Sequence, residues 1–320
     1  MALLEVEHLK KYFPVQSGLT RKTTGYYKAV DDVSFSIEAG ETFGLVGESG
    51  CGKTTVGKSI LRLIEPTDGI VRLDGKDITQ ISPNALREQR KNMQIIFQDP
   101  YSSLNPRMTV ETLIAEPMFE HKLVSSKAEA KEKVSEILQK VGLNPKDMHK
   151  YPHEFSGGQR QRVMIARAIS VYPKIIVCDE PVSALDVSVQ AQILNLMQDL
   201  QEELGISYLF IAHGMPVVQH ISKRVGVMYL GHLVEVADSM ELFLHHAHPY
   251  TKALLSAIPN PDPNLPNDFD FIKGEVPSLI DPPPGCLFSN RCPFCTKRCK
   301  EEMPILREIA PGHQVACHCV

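Results

Sequence analysis

One stretch, GESGCGKT at Gly47–Thr54, constrains this chain more than any other. It fits the pattern G-x-x-x-x-G-K-[ST], follows the compact apolar segment Thr42–Val46, and precedes Val56–Ile64, whose apolar residues recur at helical spacing. A strand running through glycines into a helix is the frame in which such a loop cradles phosphate. Gly47, Gly50 and Gly52 let the backbone curl without Cβ clashes. The amides of the loop and of the following helix end then point at phosphate oxygens. Lys53 supplies a cation for the β- and γ-phosphates, and the Thr54 hydroxyl supplies a ligand for Mg²⁺. Ser49, Cys51 and Thr55 complete the candidate nucleotide-binding set. Cys51 itself reads as a small side chain at an unconstrained position; its sharper alternative is a redox thiol activated by the helix N-terminus.

Two further strings carry chemistry. IIVCDE, ending at Glu180, is an apolar strand that delivers two carboxylates. At a phosphoryl-transfer site they suit Asp179 as a Mg²⁺ ligand and Glu180 as the residue that orients or deprotonates water. Alone, such a strand end is weak evidence; beside a phosphate loop it is strong. EFSGGQRQR, ending at Arg162, places adjacent glycines before a basic helix, a second anion site at a helix N-terminus or simply a solvated turn.

The rest of the pattern sets the fold class. Val30–Ile37 alternates like a half-buried strand, and Ile70–Leu73 between turn signals reads as part of a hairpin. Val110–Phe119 and Lys127–Val141 are rich in helix formers, the latter with its charges Lys127–Lys133 on a solvated face. Ile175–Cys178, a helix over Ser188–Leu204 and a strand over Ser207–Ala212 alternate as in a parallel α/β sheet. A helical insert near residues 100–165 interrupts that alternation. After Pro259, PNPDPNLPNDFDF and DPPPG read as an irregular connection. The division expected is therefore a domain at 1–258 and an extension at 259–320.

That extension holds six of the eight cysteines. No apolar run approaches the ~20 residues of a membrane span, and the charges of MALLEVEHLKKYF come too early for a signal-peptide core. A cytoplasmic chain keeps its thiols reduced, which argues against disulfides. Four thiolates suit tetrahedral zinc or an iron–sulfur cluster. By spacing alone Cys292-x₂-Cys295 with Cys317-x-Cys319 is a zinc arrangement. A metal would staple a short extension that cannot build its own core. His245, His246 and His248 read as surface or packing groups.

These strings together resemble the ABC ATPase family. FSGGQ at Phe155–Gln159 is similar to its signature, Gln98 in IIFQDP to its Q-loop residue, SALD at Ser183–Asp186 to its D-loop, and His213 in FIAHG to its switch histidine. All occur in family order. VGESGCGKTT, IFQDPYSSLNPRMTV, YPHEFSGGQRQR, CDEPVSALDVSVQAQ, HPYTKALLSAIP and the cysteine tail further resemble the ATP-binding subunits of bacterial oligopeptide/dipeptide importers, the oligopeptide F-type most closely.

The resemblance implies an α/β fold: a P-loop (RecA-like) core with an antiparallel β subdomain, a helical signature subdomain and a Cys-rich C-terminal extension. It implies ATP hydrolysis at the interface of two such subunits, the partner being a paralogue, as a heterodimer would have it, or a second copy, with two membrane permease subunits and an external solute-binding protein. The chain would sit on the cytoplasmic face of the plasma membrane. Glu180 and His213 become catalytic, with His213 on the γ-phosphate. Ser156, Gly157, Gly158 and Gln159 would meet the partner's nucleotide, Asp186 would belong to the same interface, and Gln98 would join Thr54 and Asp179 around Mg²⁺. An aromatic near the start would stack on adenine, and its place after the first strand favours Phe13 over Tyr12. Tyr101–Met108 would lie near the membrane subunits. In the tail the resemblance singles out Cys286, Cys292, Cys299 and Cys317 for a 4Fe-4S cluster, with Cys295 and Cys319 as extras. Gly214 departs from the family pattern, where Asp follows the switch histidine; this puts turnover in doubt.

The competing reading is a soluble ABC ATPase acting on ribosomes or nucleic acid. One phosphate loop, one signature, a net charge of −4 and the lack of a basic tract argue against it. Nickel or glutathione remain alternative cargoes.

Overall fold

The computed structural model describes residues 2–17, 22–258, 277–280 and 282–320. The Pro- and Asp-rich connection read at 259–271 lies outside them. The chain forms two compact units, one from Ile37–Thr42 and Gln80–Ile211, the other from Ala2–Ser36, Phe43–Thr79 and Ala212–Val320.

In the first unit, Ile175–Asp179 pairs in parallel with Met93–Ile96 on one side and Ser207–Ala212 on the other. Ile175–Asp179 is buried along its whole length. That burial explains its unbroken apolar run, since a strand covered on both faces has no polar side to present. Every regular element between residues 100 and 165 of this unit is helical. Val110–Glu120 starts at Thr109, which accepts from Thr112 N, and Lys127–Lys140 starts at Ser126, which accepts from Glu129 N. Both caps satisfy amides that have no partner inside the helix. Val134, Ile137 and Leu138 form the buried stripe of the second helix.

The second unit holds an antiparallel sheet of Ala2–Ser17, Lys22–Glu38, Asp68–Leu73 and Lys76–Asp77. The expected hairpin turns at Asp74 and Gly75, both at positive φ (53° and 72°), as a primed turn requires. Thr42–Val46 pairs in parallel with Arg224–Tyr229, which forms a hairpin with His232–Asp238. Sequence reasoning missed that hairpin. Its turn residues are Leu230 and Gly231, at φ 45° and 84°, and a leucine in the left-handed region carries no turn signal.

The C-terminal segment corrects one expectation. His313–Val315 pairs antiparallel with His232–Asp238 and is flanked by Arg307–Ala310. Leu287, Phe288 and Val315 are buried, contributing roughly 1.5–3 kcal/mol each as apolar side chains removed from water. Residues 282–320 thus share the apolar core of the second unit and do not depend on a metal alone.

Candidate functional site

The phosphate loop belongs to the second unit. Its strand delivers Gly47 at φ 153°, followed by Gly50 at 78° and Gly52 at 106°. A Cβ on Gly47 would stand 2.1 Å from Met228 O, and one on Gly52 2.0 Å from Ala29 O. Gly50 has open space around it, so its glycine serves the backbone angle alone. Ser49 and Gly50 are exposed at the tip, and Thr54 and Thr55 are half-buried on the helix Lys53–Ile60.

Lys53 is buried and folds back over its own loop. Its Nζ donates to Gly47 O at 2.7 Å and to Glu48 O at 2.9 Å. The same ammonium lies 3.3 Å from Nδ1 of His213, which is itself 3.3 Å from Gly47 O. An ammonium only donates and a carbonyl only accepts, so Nδ1 accepts from Lys53 in one tautomer and donates to Gly47 O in the other. Two residues read separately from the sequence are brought together here. The helix after His213, Met215–Ile221, starts at Gly214 with no side-chain cap, the structural consequence of the missing acid.

Cys51 corrects the redox reading. It is 3% exposed, and burial pushes its thiol up; the Lys53 cation and hydrogen bonds from Lys53 pull the other way without reversing the shift. A buried, protonated thiol is a poor nucleophile.

Phe13 is half-buried, with the Lys11 ammonium 5.0 Å from its ring centre. Tyr12 is already engaged: its hydroxyl donates to Asp31, and its amide donates to Thr67 Oγ1 at 2.9 Å. Burial and that bond to Asp31 hold the phenol well above its usual range.

The carboxylates and the signature belong to the first unit. Asp179 ends its strand, 5% exposed, and Glu180 follows at 7%. Glu180 sits at φ 51°, a conformation that costs a non-glycine residue on the order of 1–2 kcal/mol. Its amide donates to Ile211 O at 2.9 Å, and its Oε2 accepts from Gln98 Nε2 at 2.7 Å.

Ser156 caps the helix Gly157–Ile169 in a reciprocal box with Gln159: each backbone amide meets the other's side chain, at 3.0 and 3.4 Å. A Cβ on Gly158 would stand 2.6 Å from Val189 Cγ1, so this glycine lets the two helices close, a packing role not visible in the string. Asp186 caps Val187–Leu204, accepting from Val189 N at 3.0 Å and from Ser188 Oγ at 2.7 Å. The Val189 bond and then the Ser188 bond hold its carboxyl below the usual range.

In the tail all six cysteines are free. Burial pushes Cys286 up to about 11, helped by the charges of Cys299, Cys317 and Cys292, so these thiols are electrostatic neighbours. Burial also raises Cys299, but hydrogen bonds led by Thr296 outweigh it and leave the thiol below its usual range. Gly285, at φ 78°, opens the segment; a Cβ there would stand 2.6 Å from Cys299 O. Among the described residues no group of three or more His, Cys, Asp or Glu side chains is set at metal-binding spacing.

Known proteins agree with this architecture. A family model described as ABC transporter matches residues 30–183, and one described as oligopeptide/dipeptide transporter, C-terminal region, matches residues 234–299. The dimeric ATP-binding cassette MJ0796, solved with ADP and phosphate, superposes with a TM-score of 0.66 over 74% of this chain and 98% of its own, at 26% identity. The CbiO1 subunit from Clostridium perfringens gives 0.65 over 76% of this chain and 91% of its own, also at 26% identity. Fold and loop together define an ATP-binding cassette of the ABC transporter class.

Full-length relatives narrow the class. The oligopeptide transport ATP-binding protein AppF of Bacillus subtilis is 52% identical over 99% of this chain and 97% of its own length. A probable peptide ABC transporter ATP-binding protein of Sinorhizobium fredii is 50% identical over 99% of this chain and 90% of its own. The chain belongs to the oligopeptide/dipeptide transporter family of ABC ATP-binding proteins.

Proposed function

We propose that this chain is the ATP-hydrolysing subunit that powers oligopeptide or dipeptide import through a membrane ABC transporter. One observation carries the reading. The phosphate cradle and the Cys-rich tail lie on a single chain that is 52% identical to an oligopeptide transport ATP-binding protein along 99% of its length.

The site residues take these roles. Gly47, Ser49, Gly50, Cys51, Gly52, Lys53, Thr54 and Thr55 bind the β- and γ-phosphates, and Phe13 stacks on adenine. Glu180 takes a proton from water as the water oxygen bonds to the γ-phosphorus and the bond to the ADP oxygen breaks. His213 donates a ring N–H to the γ-phosphate. Thr54, Gln98 and Asp179 would hold Mg²⁺, which would supply positive charge to offset that of the phosphate oxygens. Ser156, Gly157, Gly158, Gln159 and Asp186 serve the nucleotide held by a second ATP-binding subunit, a paralogue.

Residues 1–258 form the nucleotide-binding domain and 259–320 the extension. Two permease subunits and an external solute-binding protein complete the complex, with this chain on the cytoplasmic face of the membrane. No helix among the described residues is long and apolar enough to cross a membrane, in keeping with a peripheral subunit. In the tail Cys286, Cys292, Cys299 and Cys317 hold a 4Fe-4S cluster, with zinc as the alternative. The support is the chemistry of the donors: all four are free thiols, and the charges of Cys299, Cys317 and Cys292 act on Cys286.

The test is reconstitution. Purified chain, combined in liposomes with its permease subunits and paralogue, should release phosphate faster when a peptide-loaded binding protein is added. Phosphate release that ignores the membrane subunits but follows ribosomes would overturn the importer reading.

A further inference from the structure

Every polar group of Glu48 is committed to a partner within the second unit. Its carbonyl accepts from Lys53 Nζ at 2.9 Å. Its amide donates to the Tyr250 hydroxyl at 2.8 Å. Its carboxylate accepts from both terminal nitrogens of Arg291, at 2.9 and 3.0 Å. Glu48 is the first residue after Gly47, so it lies inside the phosphate loop. Arg291 comes from the tail, immediately before Cys292.

The pair is built rather than incidental. The Arg291 side chain is 6% exposed and that of Glu48 27%. The guanidinium sits 5.8 Å from the Tyr229 ring centre and 5.9 Å from that of Phe288, and donates to the Tyr229 hydroxyl at 3.2 Å. Tyr229, Tyr250 and Phe288 pack on one another with centres 4.6 to 5.5 Å apart. Arg291 Nε is buried without a hydrogen-bond partner, so the orientation favours Glu48 at the expense of its own third donor site. A two-pronged contact of this geometry fixes a carboxylate in direction as well as distance.

A glycine-rich loop has little stiffness of its own, and its amides bind phosphate only when they point the right way. A carboxylate on that loop also opposes an anionic ligand unless a cation offsets it. We propose that Arg291 is a positioning residue for the phosphate loop: by clamping and neutralising Glu48, it makes nucleotide affinity depend on the folded Cys-rich tail. The inference rests on the reading of Gly47–Thr54 as the nucleotide site and adds a residue that lies outside every nucleotide-binding motif.

The test titrates Mg-ADP and Mg-ATP into full-length chain and follows hydrolysis beside binding. Arg291→Gln should weaken both nucleotides about tenfold and raise KM for ATP similarly, with kcat at saturation within about twofold, because loss of a charge-assisted bidentate contact acts here on binding. Glu48→Gln added to Arg291→Gln should recover most of the affinity, since the unpaired carboxylate is then gone. Arg291→Lys, which keeps the charge but loses the fork, should fall between. A variant that loses its cooperative melt is set aside and Arg291→Lys is read instead. Lys53→Ala is measured in parallel. If it binds nucleotide normally, the site reading itself fails. If it loses binding while Arg291→Gln and Arg291→Lys bind like wild type, or if the double variant is no better than Arg291→Gln, the positioning role is overturned.

Discussion

Gln98 Nε2 donates to Glu180 Oε2 at 2.7 Å, tying the Q-loop residue to the carboxylate that follows the buried strand Ile175–Asp179. A glutamine at 180 could still accept that bond through its amide oxygen. Glu180→Gln therefore removes the base while leaving the contact. Phosphate release should fall by roughly 10²–10⁴, the usual range for a lost general base, while ATP stays bound. Phosphate release at the wild-type rate would show that another group takes the proton.

Gly158 faces Val189 so closely that an added Cβ would stand 2.6 Å from Cγ1. Val189 is a β-branched residue on a helix, stiff at χ1, so it yields poorly. Gly158→Ala should destabilise by roughly 1–3 kcal/mol, the range for overpacking. Val189→Ala in the same chain should restore most of it, because the clashing methyl is removed. Thermal melts of the single and double variants check this, and additive losses would refute the steric account.

Gly214 begins Met215–Ile221 at φ −83° and ψ 114°, a normal N-cap conformation that carries no cap. An added Cβ would lie 3.7 Å from Val217 Cγ2, an ordinary contact. Gly214→Asp should add a cap and reduce unfolded-state freedom, stabilising by roughly 0.5–1 kcal/mol. A melting temperature unchanged or lowered would mean that the Asp side chain does not reach the helix amides.

The motifs were legible because each is a local string whose meaning lies in its own backbone. Gly47 and Gly52 need positive φ, Lys53 opens a helix, and Ile175–Asp179 is apolar up to its final Asp because both faces are covered. What the string hides depends on distant partners. Arg291 and Glu48 are 243 positions apart, and no local pattern links them. The need for Gly158 resides in Val189. For Cys51 the local string offered a thiol activated by a helix end as the alternative to a small packing side chain, and burial, which raises the thiol, goes against that alternative. The hairpin at Leu230 escaped because a leucine occupies the first position of its turn.

For the tail, anaerobically purified chain should contain iron and acid-labile sulfide in equal amounts, about four of each per chain for a 4Fe-4S cluster. Cys292→Ala should remove both. Zinc without iron would replace the cluster with a zinc site, and neither metal would leave the six free thiols as packing groups.

His248 makes stability depend on pH. It is 2% exposed, and burial lowers its pKa from 6.5 to about 4. Its Nδ1 accepts from Tyr250 N at 3.0 Å as the cap of the helix Pro249–Ser256, which only an unprotonated Nδ1 can do. The unfolded chain binds a proton near pH 6.5 while the folded chain resists it down to about pH 4. Stability is therefore whole above the unfolded pKa and falls with pH between those limits. The loss should reach roughly 2 kcal/mol by pH 5, at about 1.36 kcal/mol per unit. His248→Asn keeps a capping acceptor without a titrating ring. Urea midpoints measured from about pH 7.5 to 5 should fall more steeply for wild type than for His248→Asn. Parallel slopes would mean that another group carries the acid sensitivity.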